Sequence, residues 1–132
     1  MEIIGITTKS RVEAVDITGR VQDIVSKSGA KSGVAVVCTA HTTAGLTVNE
    51  NADPDVMADL MEALSRLAPR SGPYAHAEGN SDAHVKCTLV GQSVTVPVEA
   101  GRLQLGTWQA VYFCEFDGPR QRRVMVQVVA GS

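Results

Sequence analysis

The chain has few of the features that suit a protein to nucleic acid or to a membrane. Its 132 residues carry a formal net charge of −2, so we expect no basic face for nucleic acid. Aromatic residues make up only 4% of the chain, too few for a platform that stacks single-stranded bases. No hydrophobic run approaches the ~20 residues of a membrane span, and no secretory signal is evident near residue 1. We therefore expect neither nucleic acid nor a membrane as a partner.

Cysteine is also scarce. The chain has three cysteines, Cys38, Cys87 and Cys114, an odd number without Cys-x-x-Cys spacing. Each stands among apolar residues, which predicts buried, slowly reacting free thiols in a reducing compartment. We therefore expect a cytoplasmic protein.

Familiar catalytic motifs are missing as well. The chain contains no glycine-rich phosphate loop, no Gly-x-Ser-x-Gly elbow and no Asp-Asp-x-x-Asp cluster suited to magnesium diphosphate. Any chemistry therefore rests on separate polar side chains that the fold brings together.

Periodicity predicts two or three helices. After Asp53-Pro54, a strong helix start, apolar residues recur at helical spacing until Pro69. Thr18 is expected to cap a shorter helix that ends before Gly29. Asp82 can cap a third helix through Val90. Alternation over 83–89 also permits a strand there, but Gly91 favours the helix.

The remainder of the chain is predicted to be mostly strand. The expected strands are 2–8, 11–17, 34–38, 42–48, 93–98, 107–116 and 123–129. The last two are separated by Asp117-Gly118-Pro119, a connection of hairpin length. At this length and with 44% hydrophobic residues, the prediction is a single α+β domain over residues 1–132, β-rich and sandwich-like.

Two polar stretches contain every histidine of the chain. His76 and His84 lie in residues 73–84, and His41 stands three positions after the apolar run 34–38, which is predicted to be a buried strand. Three imidazoles are the number that a catalytic zinc site uses, and Glu50 or Asp82 is close enough in sequence to orient one of them or to be a fourth ligand. We predict that the three histidines converge on one divalent metal ion, zinc or magnesium.

Two alternatives to that metal site remain open. In the first, His41 caps the end of its strand while the other two histidines face solvent. In the second, the imidazoles lie too far apart to share an ion, and His76, His84 and Arg120 line a phosphate or carboxylate pocket instead.

Other polar residues are candidates for holding a small phosphorylated molecule. They are Thr42, Thr43, Asn49, Asn80 and Lys86. Threonine hydroxyls donate to phosphate oxygens, and basic groups neutralise them. The alternatives are that the threonines are ordinary strand residues and that the charges around Arg120 belong to a solvated turn.

Five motifs resemble, in order and spacing, those of the secondary thiamine-phosphate synthase family, the YjbQ-like proteins. They are His41-Thr42-Thr43-Ala44-x-Leu46-Thr47-Val48-Asn49-Glu50, Tyr74-x-His76, Asp82-Ala83-His84-Val85-Lys86, Gly101-Arg102-Leu103-x-Leu105-Gly106-Thr107-Trp108-Gln109 and Glu115-Phe116-Asp117-Gly118-Pro119-Arg120. The resemblance covers residues 2–131 and implies a sandwich-like α+β fold, a homotrimer and a polar pocket near the subunit boundary.

The resemblance also implies a reaction. The family is credited with joining a pyrimidine-methyl diphosphate to a thiazole phosphate, with release of diphosphate, as a secondary activity. The motif positions make His41, Glu50 and Arg120 the candidate catalytic residues. The leaving diphosphate needs cations or a metal ion to neutralise it. The alternative is a non-catalytic trimeric module that binds a metal or another ligand.

Overall fold

The structure is a computed structural model that describes residues 1–131. Its elements are β1 Glu2–Thr7, β2 Glu13–Asp16, α1 Thr18–Ser28, β3 Ser32–Cys38, β4 Ala44–Glu50, α2 Pro54–Leu67, α3 Ser81–Val90, β5 Ser93–Glu99, β6 Arg102–Leu103, β7 Gln109–Glu115 and β8 Gln121–Ala130. The predicted α+β class is confirmed, because eight strands and three helices occur within these residues.

The strands form two antiparallel sheets that pack face to face. One has five strands in the order β1-β8-β3-β5-β6, and the other has three in the order β2-β7-β4. Side chains alternate between the two faces of a strand, so every second residue points inward. Val37 and Val126 from the larger sheet meet Phe113 from the smaller one in the main core, and Ile17 and Val21 at the start of α1 complete it.

Helices α2 and α3 pack on the smaller sheet, on the face that points away from the larger sheet. Met57 of α2 and Ala83 of α3 pack with Tyr112 and Phe116 in a second apolar cluster on the outer face of the smaller sheet. None of the helices within residues 1–131 is long and apolar enough to cross a membrane.

The predicted start of α2 is confirmed. The Asp53 side chain accepts a hydrogen bond from the backbone N–H of Asp55 at 2.9 Å, and Pro54 occupies the first helical position.

Two other predicted helix caps are wrong. Thr18 is the first residue of α1, and its hydroxyl accepts a hydrogen bond from the Val111 N–H at 2.8 Å instead of capping the helix. The cap of α3 is Asn80, because Asp82 lies inside the helix and is drawn into the protein by ion pairs.

The predicted hairpin across residues 117–119 does not form, because β7 and β8 belong to different sheets. Three of the connections that pass between the two sheets are 8–12, 39–43 and 116–120. The strand registers place all three at one end of the sandwich, which we call the corner end. The opposite end, where Glu50 pairs with Gln109, is the far end.

A buried ion pair closes the core at the corner end. Glu115 of β7 and Arg122 of β8 face each other from opposite sheets, with Arg122 Nε 2.8 Å from Glu115 Oε1. The Thr8 hydroxyl donates to Glu115 at 2.7 Å, and Arg122 Nη2 donates to the Thr43 hydroxyl at 2.9 Å. Burial acts to raise the pKa of Glu115, but the hydrogen bonds from Arg122 and Thr8 outweigh it and hold that pKa below its usual value. The pair is therefore charged and fixed in place.

The cysteines differ from one another in exposure. All three are free, but only Cys114 is buried, and burial raises the pKa of its thiol to about 12. Cys38 and Cys87 are half-buried, which corrects the expectation that all three would be buried.

Candidate functional site

An open polar cleft of ≈ 350 Å³ lies at the corner end of the sandwich. Its walls come from two of the connections between the sheets, 39–43 and 116–120, and from the start of α3. Five predicted site residues that line it without forming part of the core are His41, Thr42, Asn80, His84 and Arg120. Thr43 lines it as well, but its hydroxyl is bound to Arg122.

His41 is bound to the end of a sheet. The last pair between β3 and β8 is Cys38 with Met125, so the next backbone groups of β8 lack a strand partner on that side. His41 Nε2 accepts the Arg123 N–H at 2.9 Å, and the Thr39 hydroxyl donates to the Arg123 carbonyl at 2.8 Å. Two side chains thus replace one rung of backbone hydrogen bonds.

This contact fixes the chemical state of His41. An imidazole that accepts a hydrogen bond at Nε2 is neutral, with its proton on Nδ1. Burial lowers the pKa of His41, and the charge of Arg122 lowers it further, which favours the same neutral form. Neither ring nitrogen then has a free lone pair.

A three-histidine metal site therefore does not fit one chain in this conformation. A metal ligand must offer a lone pair, and the Nε2 lone pair of His41 already accepts the hydrogen bond from the Arg123 N–H. Among residues 1–131, no group of three or more histidine, cysteine or acidic side chains is placed to hold a metal ion. Metal binding remains a prediction that a single chain does not satisfy.

The other two histidines are neighbours. The ring centroids of His76 and His84 are 5.5 Å apart, and the rings meet edge to face at 84°. His76 Nε2 lies 3.6 Å from the Glu78 carboxylate, at the protein surface. Together with Tyr74 and Val85 they line a shallow apolar depression of ≈ 340 Å³ next to the polar cleft. His84 lines both cavities.

One carboxylate holds two of the predicted ligand-binding residues. Asp117 Oδ2 accepts hydrogen bonds from Asn80 Nδ2 at 2.9 Å and from Arg120 Nη2 at 2.8 Å. Arg120 Nε also donates to the Asp117 carbonyl at 2.7 Å, which fixes the guanidinium plane. Asp117 was not predicted as a site residue, although it stands in the same motif as Arg120.

This arrangement leaves hydrogen-bonding groups free. Among residues 1–131, Arg120 Nη1 has no acceptor, and the buried Asn80 Oδ1 has no donor. Buried polar atoms are rarely left without a partner. The cleft therefore offers the free edge of Arg120 as a donor to a small polar ligand.

Lys86 does not reach the cleft. Its ammonium lies 3.0 Å from Asp82, and both residues are buried in one network with Arg11, whose Nη2 is 3.2 Å from the same carboxylate. Burial acts to raise the pKa of Asp82, but the hydrogen bonds from Arg11 and Lys86 outweigh it and lower that pKa. In the described structure Lys86 therefore anchors α3 and is not one of the residues that line the cleft.

Asn49 and Glu50 lie at the far end of the sandwich. Glu50 lies six positions along β4 from Ala44, a distance of about 20 Å in an extended strand. Glu50 is next to Asn51, whose N–H donates to the Trp108 carbonyl at 2.9 Å. Among residues 1–131, the Glu50 carboxylate has no hydrogen-bond or ion-pair partner. One chain therefore does not bring these predicted residues to the cleft.

The sequence matches a known family along nearly its whole length. A family model described as "UPF0047 protein YjbQ-like" matches residues 2–131. The UPF0047 protein MJ1081 of Methanocaldococcus jannaschii is 49% identical over 124 residues, which is 94% of this chain and 90% of the relative. The UPF0047 protein YugU of Bacillus subtilis is 45% identical, over 98% of each chain.

Solved structures share the same fold. A YjbQ/UPF0047 family protein from Clostridium acetobutylicum superposes with a TM-score of 0.96 at 47% identity, covering 98% of this chain and 100% of that one. A protein of unknown function from Sulfolobus solfataricus gives 0.95 at 34% identity, covering 98% and 96%. The two-sheet fold with three helices is therefore common to these proteins.

Proposed function

The chain belongs to the YjbQ-like UPF0047 family, and on that premise we propose that the cleft at the corner end binds the phosphate group of a small phosphorylated molecule. The observation that supports this most directly is the position of Arg120. Asp117 orients its guanidinium from one side, while Nη1 has no acceptor in the described chain. Arginine in a fixed orientation is well suited to bind phosphate oxygens through paired N–H groups.

Neighbouring residues suit the same ligand. The exposed Thr42 lines the cleft and supplies a hydroxyl that can donate to a phosphate oxygen. His84 lines both the polar cleft and the apolar depression, so a ligand with a phosphate and a flat apolar part would contact it from both sides. Asn80 and Asp117 keep the donor edge of Arg120 in place.

We further propose the reaction that the motif resemblance implies. In it the bond from the pyrimidine methylene carbon to diphosphate breaks, a bond from that carbon to the thiazole nitrogen forms, and diphosphate leaves with the electron pair. Arg120 would neutralise the charge that develops on the leaving group. His41 is held neutral beside the cleft, where it can shape the site without adding charge.

Of the two predicted metal ions, we propose that zinc binds the imidazoles of His76 and His84 only, since His41 is engaged with β8. Magnesium, which takes oxygen ligands, would bind through the phosphorylated molecule instead. Elemental analysis before and after chelation tests this. His84→Ala should lower the metal content relative to the parent protein, and equal contents would contradict the proposal.

A second candidate function is a non-catalytic ligand-binding trimer. It is favoured by the position of Glu50, the proposed catalytic acid, about 20 Å from the corner end within one chain. A diphosphate-release assay with the two substrates separates the candidates. Release above the buffer rate, lost in Arg120→Ala, supports the enzyme, whereas binding without release supports the module.

Calorimetric titration with pyrophosphate tests the binding site itself. Arg120→Ala should weaken the affinity about tenfold or more, because a hydrogen bond to a charged group contributes about 1.5–3 kcal/mol. The matched control is Arg66→Ala, which removes an exposed arginine paired with Glu62 on α2. If Arg120→Ala and Arg66→Ala bind pyrophosphate equally well, the proposed site is wrong.

We propose that the protein assembles as a homotrimer, as the family resemblance implies, and acts in the cytoplasm, where half-buried Cys38 and Cys87 would stay reduced. Light scattering measures the assembly directly. A mass near the 13.9 kDa of one chain at micromolar concentration would contradict it.

A further inference from the structure

Strand β1 leaves a long open edge on the five-stranded sheet. It is the first strand in the order β1-β8-β3-β5-β6, and within residues 1–131 it pairs with β8 alone. The register runs without a bulge from Glu2, opposite Val126, to Thr7, opposite Gln121. Edge strands are usually short or carry proline, lysine or a bulge, which prevents pairing with another chain. The six residues of β1 have none of these features, whereas β6 at the other edge has two residues.

The hydrogen bonds next to β1 show which backbone groups face the open edge. Thr8, directly after the strand, donates its N–H to the Arg120 carbonyl on the β8 side at 2.9 Å. The direction of the N–H and C=O groups alternates along a strand of an antiparallel sheet. The groups of Ile3, Gly5 and Thr7 therefore point away from β8, toward the open edge.

Most of these outward groups are free. The Gly5 carbonyl accepts a hydrogen bond from Arg20 Nη1 of α1 at 2.7 Å, which confirms the direction of the groups. Within residues 1–131, the other outward groups of Ile3, Gly5 and Thr7 have no hydrogen-bond partner. A row of backbone donors and acceptors at strand spacing matches the backbone of another extended chain.

Positive charge flanks the open edge on both of its sides. Arg123 lies opposite Gly5 in the register and is exposed on the outer face of the sheet. On the inner side, Arg20 reaches over the edge to Gly5, and Lys27 lines a groove of ≈ 440 Å³ at the start of β1 together with the acid Glu2. Among residues 1–131, neither arginine and not Lys27 forms an ion pair with a carboxylate. A partner with acidic side chains on both faces of its strand would complement these charges.

The groove can hold a side chain of such a partner. Its lining includes Ile24 of α1 and Val126 and Val128 of β8, so it has an apolar part beside the ammonium of Lys27. In peptides that bind to a sheet edge, the main chain supplies affinity, and pockets for alternate side chains supply specificity.

We propose that the edge of β1 binds an extended, acidic peptide segment of another protein as a sixth strand of the larger sheet. The main chain of the peptide pairs with the outward groups of Ile3, Gly5 and Thr7. Arg20 then leaves the Gly5 carbonyl and pairs with a carboxylate of the peptide. The cleft at the corner end is lined by other residues, so this interaction goes beyond the proposed phosphate site.

Charge also decides between this occupant and a second copy of the chain. Two copies that met edge to edge through β1 would bring Arg20 and Arg123 of one copy beside the same residues of the other. Like charges placed opposite each other on neighbouring strands are destabilising. An acidic strand meets no such repulsion.

A matched pair of substitutions at Gly5 tests the main-chain contact. Gly5→Pro removes an N–H that faces the open edge, and proline is tolerated in an edge strand at such a position, so the β1–β8 ladder should persist. Gly5→Ala keeps the N–H, and a Cβ added here meets nothing within 4 Å.

The probe is a capped peptide of about eight residues with two adjacent glutamates among valines and threonines, because adjacent side chains of a strand point to opposite faces. In calorimetric titration, Gly5→Pro should bind it about tenfold or more weakly than the parent protein does, since a hydrogen bond is lost and the ring blocks close approach. Gly5→Ala should bind it with the parental affinity. Equal affinities in the two variants would overturn the inference.

Reversing a charge tests the choice of an acidic partner. The same peptide with lysines in place of the glutamates should bind about tenfold or more weakly at low salt. Arg123→Glu should weaken binding of the acidic peptide about fivefold. Arg66→Glu is the matched control, because it makes the same change of net charge on α2. Equal binding of the acidic and basic peptides would contradict the proposal, as would equal effects of the two substitutions.

Hydrogen exchange followed by NMR shows where the peptide lies, without any substitution. In the free protein, the amides of Ile3, Gly5 and Thr7 should exchange faster than those of Ile4 and Ile6, which face β8. The acidic peptide should slow exchange at the first three. Binding without that protection, or no binding at about 1 mM peptide, would show that the edge is not the site. This comparison also decides the inference if circular dichroism shows that Gly5→Pro is unfolded.

Light scattering separates the peptide from a second copy. Gly5→Pro and Gly5→Ala should both keep the mass of the parent protein. If Gly5→Pro lowers that mass while Gly5→Ala preserves it, the edge of β1 joins copies of this chain and the proposal is wrong.

Discussion

Helices α2 and α3 cover the same face of the same sheet, yet they are built on opposite principles. In α2, Met57 is buried against the sheet and the exposed positions are mostly polar. In α3, an ion pair is buried and Val85 and Leu89 face solvent. The difference shows that a hydrophobic pattern predicts the buried face of a helix well when the helix only packs against its own chain. Where a helix also buries an ion pair and lines a cleft, the pattern becomes ambiguous.

The largest effect is expected at Asp82. Asp82→Ala leaves Lys86 buried without its partner, and breaking a buried ion pair typically costs about 3–5 kcal/mol. Chemical denaturation should therefore show a large fall in the free energy of unfolding. The matched control is Asp55→Ala in the first turn of α2, where an exposed carboxylate should matter by about 0.5 kcal/mol or less.

The stability of the protein at acid pH should also depend on Asp82. The pKa of Asp82 is lowered in the folded protein, so the folded state binds fewer protons than the unfolded chain at acid pH. This contribution to stability is complete above the ordinary aspartate pKa of about 4 and is lost as pH falls below it. Asp82→Ala should flatten the dependence of stability on pH in that range, and an unchanged dependence would contradict the prediction.

The helix caps give an intermediate effect. Asp53→Ala removes a side-chain cap from α2 and should cost about 1 kcal/mol of stability. Asn80 makes no cap hydrogen bond to α3, so Asn80→Ala should act mainly through the lost contact with Asp117. We expect it to weaken pyrophosphate binding more than Asp53→Ala does. Equal affinities in the two variants would show that Asn80 is not part of the site.

The smallest effect is expected from the protonation of His41. Its pKa is lowered in the folded state, so its contribution to stability is present above pH 6.5 and is lost as pH falls through and below that value. His41→Ala should reduce the slope of unfolding free energy against pH between about 7 and 5. A slope equal to that of the parent protein would contradict this prediction.

The sequence predicted the elements better than their contacts. The start of α2 was predicted because Asp53-Pro54 and a regular apolar stripe act locally. The caps at Thr18 and Asp82 were wrong because their partners, Val111 and Arg11, are remote in sequence. The hairpin was wrong for a similar reason, since a short connection fits a hairpin and a passage between two sheets equally well.

The candidate site was predicted in part. The motifs identified His41, His84 and Arg120, which the structure brings to one cleft. They also included Lys86, which is buried, and Glu50, which lies at the far end. Neither separation is visible in the sequence, because a motif gives the order of residues along the chain and not their positions in space. The hydrogen bond from the Arg123 N–H to His41 could not be predicted either, since it joins residues 82 positions apart.

The ion pair between Glu115 and Arg122 has a mechanical consequence for the cleft. Two apolar sheet faces can slide past each other by one row of side chains and still bury similar area. A charge pair with one member on each sheet is lost by any such slide, and separating buried charges is costly. The pair therefore holds the two sheets in one relative position. The connections 39–43 and 116–120 begin beside this pair, so the pair also restricts how far the two walls of the cleft can shift relative to each other.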